Sequence, residues 1–353
     1  MNRVSSIELL RFISALMVII WHYQQFFLPY NPFSDLKILT TNREIQPFYE
    51  YLSLFYNYGN RGVDFFFLIS GFVFSHVYLS EKNNTNLKTF FINRFARLYP
   101  LHFLTLIVVL IFQFHSNENY ETFIIHFFND TYHFILNFFL VSGWGFEKGP
   151  SFNGPVWSVS VEIIIYFFFF YLILYFSNLR FIKSILVVIF LIAFRKLIDD
   201  KYFNQINWQI INCALLFFEG VLVYYLTKKN KKNSLLLLIG LGLFTLSLFG
   251  NFKIYLFLPS IIIIFLFFEK FINQRLNNLF CFLGNLTYGT YLWHLPLQIS
   301  LIIFFKNNNY DFNIMNKDSF FIIYLLLVFS ISIVSYYFFE KKARFWIRSK
   351  FNK

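Results

Sequence analysis

Ten stretches of this chain run for about 16–22 residues with few charges, close to the roughly 20 residues a helix needs to cross the hydrocarbon core of a bilayer. They fall at about 6–27, 62–79, 99–114, 156–176, 184–199, 208–226, 234–250, 254–269, 285–305 and 319–339. Ten spans use about 200 residues, or roughly 57% of the chain. The composition agrees: 58% of the 353 residues are hydrophobic, 56 are Phe and only 14% are charged. A soluble domain carries about 25% charge, and one built from these residues would expose a large apolar surface. The expected fold is therefore all-α, a polytopic integral membrane protein of about ten transmembrane helices in one bundle. Residues 1–353 are read as a single membrane domain.

The loops set the expected orientation. Lys82, Lys88, Arg94 and Arg97 follow the second run, and Arg180 and Lys183 the fourth. Lys228, Lys229, Lys231 and Lys232 follow the sixth, and Lys270 and Arg275 the eighth. Lys341, Lys342, Arg344, Arg348, Lys350 and Lys353 follow the last. A further apolar segment, 122–142, is interrupted by Asn129, Asp130, His133 and Asn137. If it does not cross, all these basic residues share the side of the N-terminus, as the positive-inside rule requires. Both termini are then cytoplasmic, and 115–155 forms a long outer region with Glu118, Glu121, Asp130 and Glu147. The net charge of +12 is read as topology rather than as a nucleic-acid surface. The first run is followed by no small-residue cleavage site and reads as a span. Two cysteines, Cys213 and Cys281, both in apolar stretches, offer neither a disulfide framework nor a metal cluster.

Ionisable groups at membrane depth are costly and direct attention to function. Arg11 and His22 are 11 positions apart, which at 100° per residue returns them to within about 20° of one helix face, with a rise of about 16 Å. Arg11 snorkelling to headgroups and His22 sitting at an interface beside Trp21 are the bland readings, but neither explains the alignment. Asp64 caps or lines the start of the second run. Arg94 and Arg97, three apart, either anchor a loop or fork onto phosphate. Glu162 lies inside the fourth run and needs a partner, with Arg11, Arg61 and His22 as candidates. Trp157 and Ser158 open that run. Thr287, Tyr291 and His294 fall within about 60° of one another in the ninth, beside Tyr288, as interhelical glue or a polar stripe.

Four blocks carry a family resemblance: Arg11 and His22 within ELLRFISALMVIIWH, GVDFFFLISGF at 62–72, RFARLYP at 94–100, and WSVSVEIIIYF at 157–167. TYGTYLWH at 287–294 adds a fifth. In order and spacing the chain resembles, over essentially its whole length, the membrane-bound acyltransferase-3 family of O-antigen and exopolysaccharide O-acetyltransferases. The resemblance implies a multi-pass protein of the bacterial cytoplasmic membrane. It implies acyl-CoA, acetyl-CoA by default, as a cytoplasmic co-substrate, with no permanently bound cofactor and no metal. The acceptor would be a hydroxyl of a surface glycan or its lipid-linked precursor. His22 would be the catalytic histidine, with Arg11 and Glu162 supporting it and Arg94, Arg97 and Arg11 serving the donor. Asp64, Trp157, Ser158, Tyr288, Tyr291 and His294 are substrate-site candidates. Some family members continue into an extracytoplasmic hydrolase-like domain. The sequence shows none before Lys353, so the expectation is transfer completed alone or through a separate polysaccharide-assembly partner. The physical demands agree: a base near neutral pKa for the hydroxyl proton, donors for the developing oxyanion, and arginines for the CoA phosphates. A flippase for a lipid-linked sugar and a non-catalytic subunit of a polysaccharide machine are the rival readings. No inverted repeat supports the first.

Overall fold

The computed structural model describes residues 3–37, 44–79, 86–175, 181–197, 205–228, 234–249 and 253–351. Lys82, Arg180, Lys229, Lys231, Lys232 and Lys353, used above for orientation, lie outside these residues, as do the far ends of several apolar runs. Among the described residues the regular structure is helical, with one isolated bridge between Leu28 and Lys37. The helices are α1 (Ser5–His22), α2 (Tyr49–Tyr58), α3 (Arg61–Tyr78), α4 (Leu87–Tyr120), α5 (Thr131–Phe138), α6 (Val156–Tyr175) and α7 (Phe181–Leu197). They continue as α8 (Gln205–Lys228), α9 (Ser234–Phe249), α10 (Lys253–Phe268), α11 (Gln274–Asn307), α12 (Asp318–Ser335) and α13 (Lys341–Phe351). Among the described residues, six are long and apolar enough to cross a membrane: α1 with its following turn, α4, α6, α8, α10 and α12 continued through α13. The chain is a multi-pass membrane protein. Segment 122–142 forms only the eight-residue α5, whose rise of about 12 Å is far short of a bilayer core.

Packing divides the chain into two compact units. The first holds residues 1–14, 62–85 and 161–285. Here α8 packs on α7 and α10, and α10 on α9. Phe74 stacks on Tyr166 with ring centroids 4.2 Å apart, and Phe169 and Phe217 close the same cluster edge-on. Helices α3 and α8 meet at glycines: a Cβ on Gly71 would lie 1.8 Å from the Phe217 carbonyl oxygen, and one on Gly220 would lie 2.0 Å from that of Leu68. The glycine of the LISGF block is thus required by backbone contact, as small residues at membrane helix crossings generally are.

The second unit holds residues 15–61, 86–160 and 286–353. Its core is aromatic: Tyr23, Phe26, Tyr56, Phe321 and Tyr324 pack mainly edge to face, and the buried Tyr23 hydroxyl donates to the Met315 carbonyl at 2.7 Å. Gly59 ends α2 directly against α1, where a Cβ would lie 2.1 Å from the Met17 carbonyl. Asn86 caps α4 by accepting from the Thr89 N–H, and Asp130 caps α5 by accepting from that of His133. Between α4 and α5 the chain is clamped rather than helical. The Gln113 side chain accepts from the Ile124 N–H and donates to its carbonyl, while the Ile125 N–H reaches the Tyr30 carbonyl.

Candidate active site

His22, Trp21, His294 and Gln298 all belong to the second unit. α1 ends on His22, and the Nδ1 of His22 lies 2.9 Å from the Val18 carbonyl, one turn back. A carbonyl only accepts, so Nδ1 carries the proton and Nε2 presents its lone pair. Trp21 meets the ring edge-on at 4.7 Å. The His294 ring lies 5.0 Å away and is fully buried, with the Thr290 and Tyr291 carbonyls of the preceding turn beside it. Gln298, one turn further along α11, donates to the His22 carbonyl at 3.0 Å, and its own Oε1 is unpartnered.

A third imidazole, His126, comes from the connection between α4 and α5. It lies within electrostatic reach of both His22 and His294. Its ring rests on Gly154, where a Cβ would fall 2.3 Å from Nε2. That Nε2 is buried and unpartnered, and burial holds its pKa down at about 4, so the ring is neutral at physiological pH.

Asn153 closes this cluster for a reason written in α11. Pro296 lacks an N–H, so the Leu292 carbonyl four residues earlier has no helical donor. The Asn153 Nδ2 donates to that carbonyl at 3.1 Å, and to the Thr105 hydroxyl at the same distance. Its Oδ1 is buried without a partner. Tyr291 and Ser158, predicted as substrate-site candidates, lie here too. Their hydroxyls are 2.8 Å apart and both engage the Pro155 carbonyl, and the Tyr291 ring is 6.0 Å from that of His294. Trp157 stands partly buried on the first turn of α6. Tyr288 is used differently: its hydroxyl donates to the Leu98 carbonyl and ties α11 to the arginine-bearing turn of α4.

On that turn the Arg94 guanidinium lies 5.9 Å from the Phe90 ring centroid. Arg97 and Arg344 face Glu340, a buried carboxylate in the π-helical turn Tyr336–Glu340 between α12 and α13. Helix α13 packs on α4, bringing Arg344 and the arginines of the RFARLYP block to one basic end of this unit.

Arg11, Asp64 and Glu162 belong to the first unit. Arg11 pairs with Glu8, three residues earlier, at 3.1 Å. Glu162 accepts from the Ser70 hydroxyl at 2.8 Å and the Tyr166 hydroxyl at 2.5 Å, which supplies the satisfaction its burial demands. Asp64 accepts from the Asn212 amide at 2.8 Å, and Tyr255 donates to that amide's oxygen at 2.9 Å. The Arg195 guanidinium donates to the Tyr255 hydroxyl and lies 4.7 Å from the Trp208 ring centroid.

The structure brings His22, Tyr291, His294 and Ser158, each a candidate from the sequence, into one neighbourhood. Sequence reading misses His126, Asn153, Gln298 and Glu340. Only Asn153, three residues before the first helical position of α6 and next to Gly154-Pro155, stood beside a recognisable turn signal.

A chain with three imidazoles among unpartnered buried polar atoms has the groups for proton transfer, and comparison with known proteins names the chemistry. Against solved structures, none matches. Peptidoglycan O-acetyltransferase OatA of Listeria monocytogenes serovar 1/2a (strain ATCC BAA-679 / EGD-e) is 32% identical over 143 residues, which covers 36% of this chain and 21% of that protein's length. A family model described as an acyltransferase domain matches residues 4–340, spanning every candidate residue above, and the chain therefore belongs to the acyltransferase-3 family.

Proposed function

We propose that this protein moves an acyl group, acetyl in the simplest case, from acyl-CoA to a hydroxyl of a cell-surface glycan or its lipid-linked precursor. The observation that carries the reading is the His22 Nδ1–Val18 bond, which leaves Nε2 as proton acceptor in a cluster of buried polar groups. The name of the relative, a peptidoglycan O-acetyltransferase, supports a glycan acceptor and acetyl as the group moved.

In the proposed reaction His22 Nε2 takes the acceptor O–H proton as the oxygen attacks the thioester carbonyl carbon. The tetrahedral intermediate collapses with cleavage of the C–S bond. The thiolate recovers the proton from Nε2–H, giving an ester and free CoA. His22 ends neutral, so no external proton source is required. Arg94 and Arg97 are assigned to the CoA phosphates, with Arg344 beside them. The family resemblance assigns Arg11 and Glu162 supporting roles. We place both termini in the cytoplasm and the protein in the bacterial inner membrane, so that donor and acceptor approach from opposite sides.

The test is mass spectrometry of surface glycans, with labelled acetyl-CoA supplied to membranes, for wild type and His22→Gln. Gln keeps a hydrogen-bonding group of similar size but accepts no proton near neutral pH. Glycan acylation should fall on the order of 10²–10⁴-fold while the protein stays folded, at a stability cost of about 1 kcal/mol. Near-normal acylation in His22→Gln would falsify the mechanism.

A further inference from the structure

We infer that the α4–α5 connection and the residues before α6 build the acceptor side of this site, with His126 and Asn153 hydrogen-bonding a neutral, polyhydroxylated acceptor. The inference rests on the acyl-transfer reading above and adds to it which residues hold the second substrate and what chemistry they select.

The first argument is saturation. The connection between α4 and α6 contains two histidines. His133 is fully used: Nδ1 donates to Asp130 at 2.8 Å, and Nε2 accepts from the Lys148 N–H at 3.2 Å. His126 is the opposite case, with a buried Nε2 that no described group meets. Fully buried and equally unsatisfied are Asn153 Oδ1 and Gln298 Oε1. Buried polar atoms are normally paired, so a group of them in one unit marks where a ligand's polar atoms belong.

The second argument is construction. Ile125, immediately before His126, has φ 68°, and Phe152, immediately before Asn153, has φ 42°. A β-branched residue in the left-handed region is a backbone outlier, and such outliers gather at functional sites. One side chain bridges the two segments: the Asn129 amide donates to the His126 carbonyl at 2.6 Å and accepts from the Phe152 N–H at 2.7 Å. Gln113 grips Ile124 from α4. The framework therefore fixes the two residues that carry unsatisfied atoms, and Gly154 leaves the space the imidazole occupies.

The third argument is the character of those atoms. Asn153 Oδ1 and Gln298 Oε1 are carbonyl oxygens and can only accept, which favours hydroxyl donors and disfavours phosphate or carboxylate. His126 stays uncharged near neutral pH, so it supplies no cation for an anion. An acceptor with several neighbouring hydroxyls meets these demands, offering one oxygen to His22 and donating from others.

The experiment supplies radiolabelled acetyl-CoA to membranes holding the full-length protein and its endogenous glycan, and follows label fixed in glycan. His126→Ala should lower fixation by about tenfold, the worth of one hydrogen bond, with the KM for acetyl-CoA within about twofold of wild type. His126→Gln should recover most of the loss, because positioning needs a hydrogen bond and no proton transfer. Gly154→Ala should reproduce the loss with His126 present, by displacing its ring. The inference fails if His126→Ala fixes label normally, if the KM for acetyl-CoA rises in step with the loss, or if Gln is as inactive as Ala. A wild type that fixes no label from acetyl-CoA refutes the acyl-transfer reading itself and this inference with it.

Discussion

The pairing of Asn153 with a proline-freed carbonyl can be measured directly. Asn153→Ala removes two donated bonds, to Leu292 O and to the Thr105 hydroxyl, each 3.1 Å long. Side-chain hydrogen bonds between membrane helices average about 0.6 kcal/mol and reach about 1.7. The Leu292 bond belongs at the upper end, because Pro296 leaves that carbonyl no donor from its own helix. Against this, the variant also removes the unpartnered Oδ1, whose burial costs free energy in the wild type. The net expectation is a loss of about 1–2 kcal/mol. In a Pro296→Ala background the backbone N–H at 296 returns and the Leu292 carbonyl regains an α-helical partner. Asn153→Ala should then cost about 1 kcal/mol less, and that difference is the coupling energy of the double-mutant cycle. Reversible unfolding of the four proteins in mixed detergent micelles reads it. Equal costs in the two backgrounds would show that Asn153 is not serving the freed carbonyl.

Three other outcomes follow from the same geometry. Arg94→Ala and Arg97→Ala should raise the KM for acetyl-CoA in labelled-membrane assays while His22-dependent turnover at saturating donor persists; an unchanged KM in both would leave them as topology anchors. Gly71→Ala should destabilise by about 1–3 kcal/mol or more in thermal melts, since its methyl would overlap the Phe217 carbonyl of α8, and a neutral result would refute the crossing. The His126 pKa is depressed to about 4, so between that value and the ordinary 6.5 the unfolded chain binds a proton the folded one refuses. Stability should therefore fall as pH drops from about 6.5 towards 4, and His126→Gln should flatten that fall in melts at pH 7 and pH 5.

Much of this architecture is legible because apolar runs and helical periodicity are local. α1 is an unbroken helix from Ser5 to His22, so counting 100° per residue from Arg11 describes a real surface. The same count in α11 brought Tyr291 and His294 to one side, and their rings lie 6.0 Å apart. Arithmetic of that kind stops at the first residue outside a helix. Asn153 and Leu292 are 139 positions apart, and nothing local to either announces the other, although Pro296 predicts that some donor must come. Gly71 was visible as part of a block, but its necessity depends on Phe217 in α8. Glu340 reads as one charge at the edge of a basic tail. Its burial depends on the π-helical turn and on α13 packing against α4.

Histidine shows the limit most sharply. His126 and His133 sit seven positions apart in one interrupted apolar segment, and no pattern separates them. Their difference lies in what each nitrogen meets. His133 has an acceptor on one side and a donor on the other, so its tautomer is fixed and no lone pair is left for chemistry. His22 has one nitrogen fixed by Val18 and the other available, the arrangement a general base requires. His126 keeps an unused buried nitrogen, which costs stability unless a substrate repays it. The rings therefore rank by saturation: His133 uses both nitrogens, His22 uses one, and the buried Nε2 of His126 meets no described group. The strained φ of Ile125 agrees with that ranking, because a left-handed β-branched residue persists only where surrounding structure enforces it. Gln113, Tyr30 and Asn129 enforce it here, bonding the backbone of Ile124, of Ile125 and of His126, whose Nε2 is unused.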